Sequence, residues 1–270
     1  MPDQLLLDRL NANLTRLRLP ALRDRLPETL ARAEKEAYSY LHLLDTLFEE
    51  EVAGKEQRRI DAALRSSGLP YVKSLDEFDF SFQPQLDKRS VLNLFDLTFL
   101  ARNENVFFLG PPGVGKTHLA IALTVKAAQA GYTIHCTTMS DLIAKLQADE
   151  GNAARGRMRK YFGAAVVMVD EVGYTPVTRE QCHLFYQFVA SRYERASTII
   201  TSNKAFSDWA ELFHDPVLVT AVLDRLLHHS TVINIKGHSY RLRGKLGPEP
   251  CEANGAMSPS GFAIPKSPDA

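Results

Sequence analysis

The sequence predicts an α/β protein in which a parallel sheet is covered by helices on both faces and preceded by a small all-helical region. Three observations lead there. Between 104 and 246, five apolar runs (106–109, 132–137, 165–170, 197–202 and 231–235) alternate with helical stretches, the rhythm of strand, crossover helix and parallel strand. Residues 1–68 carry no strand pattern; Leu5, Leu6, Leu10, Leu14 and Leu17, then Leu22, Leu26 and Leu30, recur at helical spacing. Directly after the first apolar run comes a glycine-rich loop that opens into a helix.

Taken in order, 1–68 reads as three or four amphipathic helices broken near Pro20 and near Gly68-Leu69-Pro70. Its acids and bases nearly balance. Arg16, Arg18, Arg23 and Arg25 are therefore either ordinary surface or a patch for nucleic acid or a protein partner. A connector, 69–103, holds the aromatic-rich stretch 76–82 and a helix expected over 88–99. The α/β domain fills 104–246. The remaining 247–270 contain five prolines among small residues, and this composition predicts disorder.

The loop is Gly110, Pro111, Pro112, Gly113, Val114, Gly115, Lys116, Thr117, followed by His118. It fits G-x-x-x-x-G-K-S/T in the strand–loop–helix context that gives the pattern its meaning. Glycines let successive N–H groups turn toward a phosphate chain, and Lys116 adds a point charge for the β- and γ-phosphates. The Thr117 hydroxyl suits Mg²⁺. The helix behind it brings about half a positive charge to the same spot. A nucleoside triphosphate is the ligand this predicts.

The rest of such a site follows from strand ends. Asp170 and Glu171 close an apolar strand. An aspartate there completes a Mg²⁺ shell, and a neighbouring glutamate can polarise water for in-line attack. Asn203 ends the run 197–202 and is placed to orient that water, with a helix-cap role as its alternative. Arg225 lies in an apolar helix, where a pairing with Asp224 is one way to tolerate its charge. Arg241 and Arg243 follow the last strand. An arginine supplied across a subunit boundary stabilises charge on a transferring phosphoryl group. His228, His229, His238 and the Cys182-His183 pair match no metal-ligand spacing.

Lys145 ends one helical stretch, and Arg155, Arg157, Arg159 and Lys160 then place four positive charges in six residues with no acid between them. Read alone, the run is a solvated loop or a grip for a nucleic-acid backbone. Whole-chain charge does not decide, because 32 basic residues face 32 acidic ones. No apolar run approaches a membrane span. Three scattered cysteines suggest neither a disulfide framework nor a zinc site, which points to a reducing cytoplasm.

The loop 110–117, the strand 166–171, the stretch 193–209 and the run 223–243 together resemble IstB-type proteins, the ATP-binding transposition helpers encoded beside the transposase in bacterial insertion sequences. The resemblance spans about 14–245, and DnaC-type helicase loaders share the motifs. It implies an AAA+ ATPase with sheet order 5-1-4-3-2 and ATP held between the subunits of a homo-oligomer. It casts Lys116 and Thr117 as phosphate and Mg²⁺ ligands, Asp170 as the second magnesium residue and Glu171 as base. Asn203 becomes the sensor, Arg225 the arginine finger and Arg241 the second sensor, with Arg243 equally placed by sequence. Lys145 and 155–160 fall where relatives insert a DNA-contacting element. The implied function is ATP-dependent assembly on duplex DNA to recruit a transposase. A helicase loader is the alternative, and a small-molecule kinase is the rival that the Asp-Glu pair and Asn203 speak against.

Overall fold

In the computed structural model, residues 2–148, 160–213 and 215–243 are described. Three helices lead: α1 (Pro2–Arg16), α2 (Pro20–Lys35) and α3 (Tyr40–Ser66). Then come α4 (Lys88–Leu94), α5 (Thr98–Ala101), β1 (Asn105–Leu109), α6 (Lys116–Gln129), β2 (Ile134–Thr138) and α7 (Met139–Gln147). The series ends with β3 (Val166–Val172), α8 (Arg179–Arg192), β4 (Ser197–Ser202), α9 (Trp209–Phe213), α10 (Pro216–His228) and β5 (Ser230–Asn234). Residues 160–163 are also helical. The tail 247–270 and Arg155, Arg157 and Arg159 lie outside the described residues.

All strand pairs are parallel, in the order β2-β3-β4-β1-β5, which is the predicted 5-1-4-3-2. Alternation along the strands divides the core between the two faces. Val106, Phe108, Met168 and Ile199 point toward α4, α5 and α6. Phe107, Leu109, Val167, Val169 and Ile200 point toward α7, α8, α9 and α10. The order puts β4 between β1 and β3, so the strand ends carrying the glycine loop, Asn203 and the Asp170-Glu171 pair lie side by side.

Two expectations need correction. The helix expected over 88–99 is two, because Leu97 adopts a left-handed conformation (φ 59°). The break lets Leu94, Leu97, Phe99 and Leu100 all enter the core. The leucine repeat of the first helices is also not one buried face. Leu14, Leu22 and Leu26 pack with Leu47, whereas Leu5, Leu6, Leu10, Leu17 and Leu30 are exposed.

The N-terminal helices are tied together by one buried carboxylate. Glu51 on α3 accepts from Leu22 N at 2.9 Å, supplying the first turn of α2 where Leu19 gives no side-chain cap. Its other oxygen meets Arg58 at 3.0 Å. After α3, the Ser67 carbonyl accepts from Cys136 N at 2.7 Å, which joins the helical region to the edge strand β2.

Arg192 closes the N-terminal ends of β3 and β4. It is buried with no acid beside it among the described residues; Nη1 donates to the carbonyls of Tyr161 and Ala164 at 2.9 Å each, Nη2 to Ser197 O at 2.6 Å, and Nε to Thr198 Oγ1 at 3.2 Å. Burial alone pulls its pKa down to about 10. Arg192→Leu would leave these buried acceptors unpaired. A loss of about 3 kcal/mol is expected, read as a lower urea midpoint at unchanged slope.

Candidate nucleotide site

The loop between β1 and α6 is shaped by its neighbours as much as by its own sequence. Gly115 caps α6 at φ 103°. A methyl group there would approach Phe78 Cε2 to 2.5 Å, and one on Gly113 would approach Ser239 Oγ to 2.1 Å. The connector and the segment after β5 therefore press on the loop from two sides. Tyr240 N donates to Gly113 O at 2.9 Å. Ser74 O lies 2.9 Å from His118 Nε2.

These walls enclose a cavity of about 250 Å³. Its floor is Pro112 to His118. One wall is Tyr71, Glu77, Phe78, Asp79, Phe82 and Gln83; the other holds Tyr240 and Arg241, and Glu171, Tyr174, Thr201, Ser202 and Asn203 close the end. The aromatic wall was invisible to periodicity, and its role emerges only when the chain folds back. Phe82 and Tyr240 meet edge to face with centroids 5.0 Å apart. Gln83 Nε2 donates to His238 O at 3.1 Å.

At the phosphate end the predicted residues converge. Lys116 Nζ donates to Pro111 O at 2.8 Å. Burial lowers the Lys116 pKa, an effect opposed by Asp170 and reinforced by Arg241. Thr117 Oγ1 donates to Asp170 Oδ1 at 3.1 Å. The same oxygen accepts from Thr201 Oγ1, and Thr201 Oγ1 in turn accepts from Glu171 N at 3.1 Å. Thr201 escaped the sequence reading. The only signal available was its place just before Asn203.

Glu171 takes a left-handed backbone (φ 60°) where the β3–β4 register shifts between Val169 and Val172. That turn aims its exposed carboxylate at the cavity while Asp170 faces Thr117. Asn203 Oδ1 is buried with no hydrogen-bond partner, an acceptor left for something in the cavity.

The arginines separate. Arg241 lines the cavity. Arg243 instead meets Asp79 at 3.0 Å, with its guanidinium 5.5 Å from the Phe82 ring centroid and 5.4 Å from that of Tyr240. Arg225 lies outside the cavity wall. Asp224 is not what steadies it: Nη1 donates to Ala221 O at 3.0 Å, and the guanidinium lies 4.9 Å over the Tyr186 ring. Lys145 and Lys160 are exposed, away from the nucleotide cavity, and Lys145 Nζ lies 5.8 Å over Tyr161.

A glycine loop at the head of a helix, carboxylates on a strand two places away and a polar residue ending the strand between them define a P-loop ATPase of the AAA+ type. The chain belongs to the family of IstB-like ATP binding proteins, whose model matches residues 12–247. It is 47% identical to the putative ATP-binding protein of insertion sequence IS21 from Pseudomonas aeruginosa, across 86% of this chain and 88% of that one. It is 42% identical to the corresponding IS5376 protein of Geobacillus stearothermophilus, across 88% and 95%. Among solved structures, DnaI superposes with TM-score 0.51 at 19% identity, covering 60% of this chain and 90% of that one; this likeness concerns the fold.

The Thr201 hydroxyl supports both carboxylates' positions, so Thr201→Val should lower kcat for ATP hydrolysis roughly ten-fold, about 1.4 kcal/mol, while nucleotide affinity changes little. Thr201→Ser should restore most of the rate. Equal loss in both variants, or a loss confined to binding, would remove Thr201 from this role.

Proposed function

We propose that this ATPase assembles on duplex DNA with ATP at the seams between its own copies and there recruits or stimulates a transposase. The relatives named above are ATP-binding proteins of insertion sequences, which favours a transposase over a replicative helicase as partner. The observation that carries the assembly reading is the position of Arg225. Its guanidinium stands clear of the cavity in its own protomer, where Arg241 already supplies a cation, so its use as a finger requires a neighbouring copy.

Within one protomer the roles divide by geometry. The turned N–H groups of 110–117 and Lys116 bind the phosphates. Thr117 Oγ1 and Asp170 Oδ1 offer paired hard oxygens suited to Mg²⁺, which when bound would neutralise charge on the β- and γ-phosphates. Glu171 faces the cavity as the base for the attacking water, and the unpartnered Asn203 Oδ1 is available to orient it. Arg241 meets charge developing on the γ-phosphate. Phe78, Phe82 and Tyr240 supply the apolar wall against which a base can lie.

The division into a helical domain at 1–68, a connector at 69–103 and an ATPase domain at 104–246 belongs to the same proposal. The exposed leucines of α1 and α2 support 1–68 as the partner-binding part. DNA contact is assigned to Lys145, Arg155, Arg157, Arg159 and Lys160, phosphate contacts that carry little sequence information. No described helix is long and apolar enough to cross a membrane.

Mixing separates an intersubunit finger from an internal one. Lys116→Ala should lose ATP binding and Arg225→Ala should lose hydrolysis, yet mixtures of the two should regain ATPase activity where an intact cavity meets an intact Arg225. No recovery at any ratio overturns the finger assignment. Neutralising the five basic residues should flatten the salt dependence of DNA binding by up to ~0.9 in log–log slope per lost contact. An unchanged slope moves the DNA site elsewhere.

A further inference from the structure

Side chains that the nucleotide site leaves unused meet at the N-terminal ends of β4, β1 and β5, the end of the strands opposite that site. Glu194 lies in the turn between α8 and β4. His228 and His229 lie where α10 gives way to β5. Their spacing in sequence fits no ligand pattern, but the fold brings the missing carboxylate to the two adjacent imidazoles. Glu194 Oε1 lies 3.9 Å from His228 Nδ1 and 3.9 Å from His229 Nε2. One ligand atom from each residue falls within 4.8 Å of the other two.

The backbone under this cluster is fixed. Glu194 holds a left-handed conformation (φ 57°) that is costly for a residue with a β-carbon, and Asn103 Nδ2 donates to its carbonyl at 3.0 Å. On the other side, Asn105 N donates to His229 O at 2.8 Å. Residues 103 and 105, at the entry to β1, thus hold both halves of the cluster. The imidazole centroids are 4.0 Å apart, and Tyr193 Oη lies 2.7 Å from His228 Nδ1.

We propose that Glu194, His228 and His229 bind a divalent transition-metal ion of the Zn²⁺ type. Metal–ligand distances of about 2.0–2.2 Å in a tetrahedral site require the three donor atoms, now 3.9 Å to at most 4.8 Å apart, to draw in. The side chains are half exposed, at 56%, 52% and 52%, and free to turn. Two imidazole nitrogens with one carboxylate suit Zn²⁺, Co²⁺ or Ni²⁺, whereas Mg²⁺ favours a shell of oxygens. Water completes the set once the Tyr193 hydroxyl, which now meets His228 Nδ1 at 2.7 Å, swings aside to become an outer partner. Because Arg225 lies one helical turn before His228, a bound ion would stiffen the end of the helix that carries it.

The test uses the full chain without nucleotide, so that the phosphate site brings no ion. CoCl₂ titration should give visible absorption bands of a tetrahedral nitrogen–oxygen site, saturating at one equivalent and bleached by ZnCl₂. Glu194→Gln, His228→Ala and His229→Ala should each weaken Zn²⁺ binding at least ten-fold in calorimetry. Circular dichroism and ATP binding check that each variant is folded, and Glu194→Gln, with its shape retained, stands in for any histidine variant that is not. Absence of saturable binding by the parent chain overturns the proposal. So does binding of unchanged strength in the folded variants, which would place the ion on other residues.

Discussion

One carboxylate oxygen holds the catalytic end of the molecule together. Asp170 Oδ1 accepts the hydroxyl of Thr117, from the first turn of α6, and that of Thr201, from β4. Three elements meet at this atom: the helix behind the glycine loop, the strand that ends in the carboxylates and the strand between them. The arrangement exists only because β4 is inserted between β1 and β3. Direct pairing of β1 with β3 would leave Thr201 nowhere to reach. The same hydroxyl accepts the Glu171 N–H, so the residue that aligns the Asp170 carboxylate also fixes the turn that sends the adjacent carboxylate into the cavity.

The cavity is closed by chain segments far apart in sequence. Residues 71–83 arrive from the helical region and 235–243 leave the last strand, and both run over the glycine loop. Their links are modest one by one. The Asp79–Arg243 pair is partly exposed, and solvent-screened pairs of that kind contribute little to stability. What they give is placement: Phe82 against Tyr240, Gln83 against the His238 carbonyl, and Arg243 withdrawn so that Arg241 alone of the two lines the cavity. Which of these two arginines lines the cavity is thus set locally by which one Asp79 captures.

Sequence showed most of the α/β domain, because its signals are local. The glycine loop, the apolar strands and the Asp170-Glu171 ending can each be read within ten residues. Thr201, the aromatic wall and the Glu194 cluster were not legible, since each depends on which strand neighbours which and on where a connector turns back. The split of 88–99 into two helices hinges on one left-handed residue, Leu97, whose cost is met by burying its side chain. The leucines of α1 misled for a different reason. Helical spacing marks an apolar face without saying what covers it, and three helices have interior enough for Leu14 and few others.

Charge balance sets the terms for the proposed grip on DNA. With 32 basic and 32 acidic residues, a single protomer exerts little long-range pull on a polyanion, and it brings only five proposed contacts. So few contacts bind weakly alone at physiological salt, since each phosphate contact is discounted by the counterions it must displace. Joined copies change the arithmetic. Once one protomer is seated, the next binds at the high effective concentration set by its neighbour, and affinity multiplies without any new kind of contact. On the proposed reading, a chain of zero net charge that holds and releases DNA gains most from controlling how many copies are joined, a control that a triphosphate read by Arg225 of an adjacent copy would provide.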